Sequence, residues 1–336
     1  MKIGINGFGR IGRCVLRILM EGNFKDIEVV AINARANSET LRHLFKYDTC
    51  FGTFKGDVSY SENELVINGN KIKIFRQPSP KDIPWNEANV DIVIDSTGKF
   101  KTNEDLQGHI DNGAKKVVLT APGKNVDATI VLGVNEDTLD INKDNIISNA
   151  SCTTNCLAPV AKVLNDKFGI KRGLITTVHS YTGDQNMLDK THRDLRRARA
   201  GAESIIPTTT GAAKAVGQVI PSLNGKLNGF ALRVPTPTVS ITDLVCELNT
   251  KVTVDEVNAA LKEASNSPEL KGILGYCEEP LVSVDYKGDS RSSIVDALST
   301  MVMQDDMLKV AAWYDNEWGY SCRVVDLVDY IIKKMN

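Results

Sequence analysis

The chain has 336 residues, length for two domains at a prior of roughly 150 residues each, and its formal charge of −2 offers no bulk attraction to nucleic acid or an anionic membrane, so neither is expected as a partner. No apolar run approaches membrane-spanning length, and the opening Met1-Lys2-Ile3-Gly4-Ile5-Asn6 leads into a strand rather than reading as a signal peptide. Seven cysteines, odd in number and scattered without framework or zinc-site spacing, point to a reducing, cytoplasmic setting and to no metal.

Ile3 to Asn6 reads as a short buried strand, followed at once by Gly7-Phe8-Gly9-Arg10-Ile11-Gly12 and by a helical pattern from Arg13 to Met20. Strand, glycines and helix in that order fit a dinucleotide cradle: the first glycine turns the chain, the second lets the backbone approach a pyrophosphate, and the third packs helix on strand. A second strand at Glu28 to Ile32 completes the βαβ unit. At its end, where selectivity for NAD usually calls for a carboxylate on the ribose 2′-hydroxyl, stands Asn33, with Ala34 and Arg35 after it. A 2′-phosphate meets no repelling charge there, so NADP is expected to be tolerated and favoured; the rival reading has Asn33 bonding the ribose of NAD with Arg35 in solvent.

Glu64–Ile67 and Lys71–Phe75 flank Asn68-Gly69-Asn70 as a hairpin. Buried strands are expected at Val90–Asp95, Lys116–Leu119 and Thr129–Val134. Ligands of an open parallel sheet lie beyond the carboxyl ends of its strands, so Thr97, Gly98 and Thr120 are cofactor-lining candidates.

Ile146-Ile147 then ends a strand, Ser148 to Ser151 form a turn, and an apolar-periodic helix covers Leu157 to Leu164, which puts Cys152 at a helix start. Unpaired N–H groups and the positive end of the helix dipole favour a thiolate there, and the hydroxyls of Ser151, Thr153 and Thr154 suit an anion at the same turn. Cys156, four residues on, reads as core.

From Leu174 the pattern turns β-rich, with strands expected at 174–181, 229–234, 239–248, 281–285 and 309–314 and helices at 210–219 and 254–264. This describes a second domain, with a mostly antiparallel sheet backed by helices. A cysteine nucleophile needs a base in reach, and of four histidines His179, on a strand beside Thr182-Gly183, is the best placed. Four arginines fall between Arg193 and Arg199, either as a solvated or subunit-contacting face or, through Arg197 with Arg233, as a phosphate fork.

With these residues in view the chain resembles the phosphorylating glyceraldehyde-3-phosphate dehydrogenases along nearly its whole length. The resemblance rests on I-N-G-F-G-R-I-G-R at 5 to 13, A-S-C-T-T-N-C-L-A-P at 150 to 159, H-S-Y-T-G-D-Q at 179 to 185, D-L-R-R-A-R at 194 to 199, P-T-T-T-G-A-A-K-A-V at 207 to 216 and W-Y-D-N-E-W-G-Y-S at 313 to 321. It implies an α/β chain with an N-terminal Rossmann domain over 1–151, completed by a C-terminal helix over 317–336, and an α+β catalytic domain over 152–316. It further implies that Cys152 attacks the aldehyde of glyceraldehyde 3-phosphate, that His179 takes the proton, and that inorganic phosphate cleaves the resulting thioester. Cofactor contacts fall on Gly7, Gly9, Arg10, Ile11 and Gly12, with Asn316 orienting the nicotinamide carboxamide and Tyr320 nearby. Substrate phosphate falls on Thr182, Arg197 and Arg233, with Asp184 beside them, and inorganic phosphate on Ser151, Thr153, Thr210 and Gly211. A homotetramer is implied, with the loop over 181–205 at a subunit interface.

NAD-specific members carry aspartate at position 33 and a Leu-Pro pair at 190 and 191, whereas this chain has Asn33, Lys190 and Thr191. In the implied tetramer Lys190 faces a neighbour's adenosine ribose, so Arg35 and Lys190 flank a 2′-phosphate and the chain is similar to NADP-using or dual-cofactor members. Two rival readings are an erythrose-4-phosphate dehydrogenase, which hydrolyses its thioester, and a nucleotide-binding thiol sensor that uses Cys152 without catalysis.

Overall fold

A computed structural model describes residues 1–22 and 24–336. The chain falls into two compact units, one made of Met1–Ile130, Asp137–Ala150 and Ser321–Asn336, the other of Val131–Glu136 and Ser151–Tyr320.

The first unit is built on a nine-stranded sheet with Lys2–Asn6 near its middle, parallel to Glu28–Asn33 on one side and to Ile92–Asp95 on the other. The chain passes from the central strand outward in one direction and later returns to fill the other. That reversal opens a crevice at the carboxyl ends of the central strands. Ile3, Ile5, Ile92, Ile94 and the Lys116–Leu119 strand are buried, as a sheet covered on both faces requires. Helix α1, Arg10–Glu21, follows the glycine turn directly. The Asn68-Gly69 turn takes positive φ at both residues (+49° and +84°), the geometry that matches the twist of the flanking hairpin strands.

One expectation here fails: of the 129–134 run only Thr129 is strand, in the two-residue Ala128–Thr129. Val134 N and Asn135 N both bond back to Val131 O, and Gly133 adopts positive φ (+79°), so the run closes into a turn that clusters with the second unit.

The second unit holds a seven-stranded sheet in the spatial order 206–209, 227–234, 170–180, 240–248, 307–314, 293–303, 274–277. Four of its pairings are antiparallel and two parallel. Along Ser240–Leu248 every second residue is buried, which is the period-two signature of a sheet packed on one face. Helices α2, Cys152–Phe168, α3, Ala212–Val219, and α4, Val254–Ser265, cover the buried face. The expected strand at 281–285 is absent; Ser283–Tyr286 is a single 3₁₀ turn, stabilised by Asp285 Oδ2 accepting Val282 N. The edge strand Leu274–Cys277, by contrast, has no alternating pattern to announce it and is held by pairing with Ser293–Met303.

Candidate active site

The glycine turn in the first unit leaves its backbone open beside the start of α1. Gly7 has φ of +91°, and a Cβ there would come within 2.8 Å of Thr97 N; a Cβ on Gly12 would strike Gly7 O at 2.2 Å. A Cβ on Gly9 would meet nothing within 4 Å, so its missing side chain leaves open space at the start of α1. A cleft of about 360 Å³ opens there, lined among others by Gly7, Gly9, Asn33, Arg35, Gln77 and Thr97. Gly98 and Thr120 follow their strands without lining it. Arg10 heads α1 and is paired through its guanidinium with Asp48, and Ile11 is part-buried in the first turn.

Asn33 is buried and turned inward. Its Nδ2 donates to Asn6 Oδ1 (2.8 Å) and to Gln77 O (3.0 Å), while its Oδ1 accepts Gln77 N (2.8 Å). Asn6 Nδ2 in turn donates to Asp95 Oδ2 (2.8 Å), which also faces His109 Nε2 (3.1 Å), and Trp85 Nε1 donates to His109 Nδ1 (2.9 Å). His109 is thus a core group of a buried polar chain. The side chain of Asn33 has no N–H left for a 2′-phosphate, and the cationic residues lining this cleft are Arg35 and Lys99.

In the second unit, Ser151 is the N-cap of α2, its Oγ accepting Thr154 N (3.1 Å), so Cys152 is the first helical residue, as its sequence context predicts. Its Sγ lies 3.5 Å from His179 Nε2. Two non-glycine residues with positive φ flank this pair in sequence or bonding: Ala150 (+53°), and Val239 (+70°), whose carbonyl accepts Ser180 Oγ (2.7 Å). Such backbone costs of order 1–3 kcal/mol each and persists only where its surroundings impose it.

Tyr314 joins the elements that carry the pair. Its hydroxyl lies 3.0 Å from Thr153 Oγ1 at the start of α2 and 2.9 Å from Thr177 Oγ1 on the strand of His179, and its ring meets the imidazole edge-on at 6.0 Å. Cys156 is core, as expected, bonded to Ser293 and Ala312 O.

Thr182, Asp184, Arg197 and Arg233 converge. Asp184 accepts the Thr182 hydroxyl and Arg197 Nη1 (2.6 Å), with Arg233 Nη2 at 3.9 Å, and Arg197 Nε also donates to Thr208 Oγ1 (2.8 Å). Gln185 Oε1 accepts Thr182 N (3.2 Å) and holds that loop. Asn316 is buried, its Oδ1 accepting Ser180 Oγ (3.2 Å) and Ser240 Oγ (2.9 Å), which leaves Nδ2 as the donor end of a fixed amide. Tyr320 is buried in the same unit.

The other expected anion set is less coherent. Ser151 Oγ is committed to capping α2, Thr153 is buried against Tyr314, and Thr210 Oγ1 accepts Ala212 N (3.2 Å) ahead of the Gly211 N-cap of α3. Each hydroxyl has a structural partner. Lys190 is exposed, its backbone N bonded to Ala198 O (3.0 Å).

Electrostatics departs from the helix-terminus argument. Burial pushes the Cys152 thiol above its ordinary pKa and outweighs the opposing pull of Arg233 and Thr153. Burial first, then the Arg233 guanidinium, lowers His179 to about 3, so the imidazole is neutral. The guanidinium that adds to burial is close at hand: Arg233 Nη1 lies 2.6 Å from His179 Nδ1. Among the described residues no cluster of His, Cys, Asp or Glu is placed to hold a metal, and no helix is long and apolar enough to cross a membrane.

The sequence reading missed Tyr314 as a site residue, along with Asn6, Asp95 and Gln77. Tyr314 stands 161 positions from Thr153 and 137 from Thr177, beyond any local pattern. Its one signal is position within the 313–321 motif.

Comparison with known proteins gives two family matches: "Glyceraldehyde 3-phosphate dehydrogenase, NAD binding domain" over residues 1–103 and "Glyceraldehyde 3-phosphate dehydrogenase, C-terminal domain" over residues 151–316. The chain is 60% identical over 334 residues to a glyceraldehyde-3-phosphate dehydrogenase of Geobacillus stearothermophilus, with 99% of each chain covered. It is 58% identical over 333 residues to glyceraldehyde-3-phosphate dehydrogenase 1 of Bacillus cereus, with 99% of each covered, and 56% over 335 residues to glyceraldehyde-3-phosphate dehydrogenase 2 of a Nostoc species.

Proposed function

Because the chain belongs to the glyceraldehyde-3-phosphate dehydrogenase family, it is a phosphorylating dehydrogenase that oxidises glyceraldehyde 3-phosphate with a nicotinamide dinucleotide, and we propose that Cys152 and His179 carry the reaction through a thioester. The observation that supports this most is the 3.5 Å approach of Sγ to Nε2 at the first residue of a helix, with two arginines converging on Asp184 in the same unit. Sγ adds to the aldehyde carbon, and Nε2 receives the hydroxyl proton of the adduct as its C–H hydride departs. A bound nicotinamide ring supplies the hydride acceptor. Oxygen of inorganic phosphate then attacks the thioester, releasing the Cys152 thiolate and 1,3-bisphosphoglycerate.

Arg197, Arg233 and Thr182 hold the substrate phosphate, with Asp184 as their counter-charge, and Ser151, Thr153, Thr210 and Gly211 form the second phosphate position. Gly7, Gly9, Arg10, Ile11 and Gly12 cradle the dinucleotide, Thr97, Gly98 and Thr120 flank it, and Asn316, with Tyr320, orients its carboxamide. NADP is favoured over NAD, supported by the missing carboxylate at position 33 and by Arg35 on the cleft, with Lys190 added across subunits. The protein works in the cytoplasm as a homotetramer. Leu174, Phe230, Leu298 and Met301 are apolar side chains exposed on its sheet strands, the material of a subunit contact.

The deciding experiment follows acyl-phosphate formation with NAD and with NADP. Product dependent on inorganic phosphate, lost in Cys152→Ser while nucleotide binding persists, is expected. Substantial turnover by Cys152→Ser defeats the thioester route, and phosphate-independent release of the free acid defeats the phosphorylating one.

A further inference from the structure

His179 and Arg233 are direct partners on neighbouring parallel strands, so sheet register alone sets guanidinium beside imidazole. Arg233 Nη1 lies 2.6 Å from His179 Nδ1 and 3.0 Å from Ser180 O, and Nδ1 and Ser180 O are themselves 2.7 Å apart. A guanidinium has donors only. Nη1 can satisfy both neighbours by giving one hydrogen to each, and in that arrangement Nδ1 is the lone-pair end of the ring. A neutral imidazole with a bare Nδ1 carries its proton on Nε2, the nitrogen that points at Cys152 Sγ. In that tautomer Nε2 cannot accept a proton.

We propose that Arg233 is a substrate-operated lock on His179, in addition to its part in binding phosphate. This rests on the function proposed above. The dianionic phosphate of the substrate competes for the guanidinium, as carboxylate and phosphate oxygens do, and Asp184 at 3.9 Å from Nη2 lies on that side. Withdrawal of Nη1 lets Nδ1 take a proton from solvent water and donate it to Ser180 O, while Nε2 returns its own proton to solvent on the substrate side. The number of protons on the ring is unchanged, and Nε2 becomes the base. The charged and titratable groups facing the ring are Cys152 from α2, Arg233 from the neighbouring strand, Asp184 from the following loop, and Tyr314, held neutral by burial. Among these, Arg233 alone supplies a cation against Nδ1. Aldehydes that lack a phosphate thus meet an enzyme whose base is withheld, a discrimination applied to the chemical step as well as to binding.

Glyceraldehyde, which has no phosphate, separates the two roles of Arg233. If the side chain only binds phosphate, Arg233→Met leaves the single-turnover rate of cofactor reduction with glyceraldehyde unchanged. The lock predicts a rise of roughly tenfold or more, within the range a general base contributes, while the rate with glyceraldehyde 3-phosphate falls. As a second measurement, ¹⁵N imidazole shifts of His179, assigned by loss of its signal in His179→Asn, should report Nε2–H without ligand and Nδ1–H with glycerol 3-phosphate in wild-type protein. An unchanged or slower glyceraldehyde rate in Arg233→Met, or a tautomer that does not respond to glycerol 3-phosphate, overturns the lock. Failure of wild-type enzyme to reduce cofactor with either aldehyde would instead sink the function on which it rests.

Discussion

Replacing Tyr314 by phenylalanine removes one oxygen and tests whether the Cys152 turn is clamped to the His179 strand. The hydroxyl serves Thr153 Oγ1 at 3.0 Å and Thr177 Oγ1 at 2.9 Å, and both threonines are nearly inaccessible to water. A buried hydroxyl that loses its partner costs about 1 kcal/mol or more, so two such losses come to about 2 kcal/mol. Burial keeps the phenol neutral, so this loss should be independent of pH across the working range. Part of it is felt in the separation of Sγ from Nε2, because Thr153 follows Cys152 directly and Thr177 lies two residues before His179. If half of the loss appears in the transition state, kcat falls roughly fivefold to tenfold. The assay is a double-mutant cycle of Tyr314→Phe with Thr177→Val, read in kcat and in denaturation midpoint. A coupling of about 1 kcal/mol is expected. Strict additivity, or an unchanged kcat in Tyr314→Phe, would falsify the clamp.

The depressed pKa of His179 gives a stability signature with a definite sign. The unfolded chain takes up a proton at the ordinary value of 6.5 but the folded chain only near 3, so this group's contribution is complete above 6.5 and is lost as pH falls towards 3, by up to about 5 kcal/mol. His179→Asn should flatten that acid limb in urea titrations, and a wild-type limb no steeper than the variant's rejects the assignment. For the cofactor, Asn33→Asp with Lys190→Leu should move the ratio of NADP to NAD affinity towards NAD, measured by titration of both. Because Asn33 Nδ2 gives hydrogens to Asn6 Oδ1 and Gln77 O, the aspartate should also lower the thermal midpoint of the protein; a shift in ratio with no loss of stability contradicts that buried chain.

Local patterns in the sequence specify much of this protein. Glycine spacing after a buried strand, the Asn-Gly hairpin, and a capped helix with cysteine at its first position all reflect chemistry acting over a few residues, and each stands where the sequence puts it. Where the pattern was ambiguous the reading failed: the apolar run at 129–134 turns on Gly133 and Asn135, and that at 281–285 coils into a 3₁₀ turn. Tertiary structure alone decided which groups meet. The register of parallel strands put Arg233 on the far side of His179 from Cys152, and packing of the helix on the sheet brought Tyr314 to both threonines. The same enclosure reversed the electrostatic expectation for Cys152, since a helix terminus acts over one turn and lowers a thiol's pKa only as far as desolvation allows, and here desolvation is the larger effect.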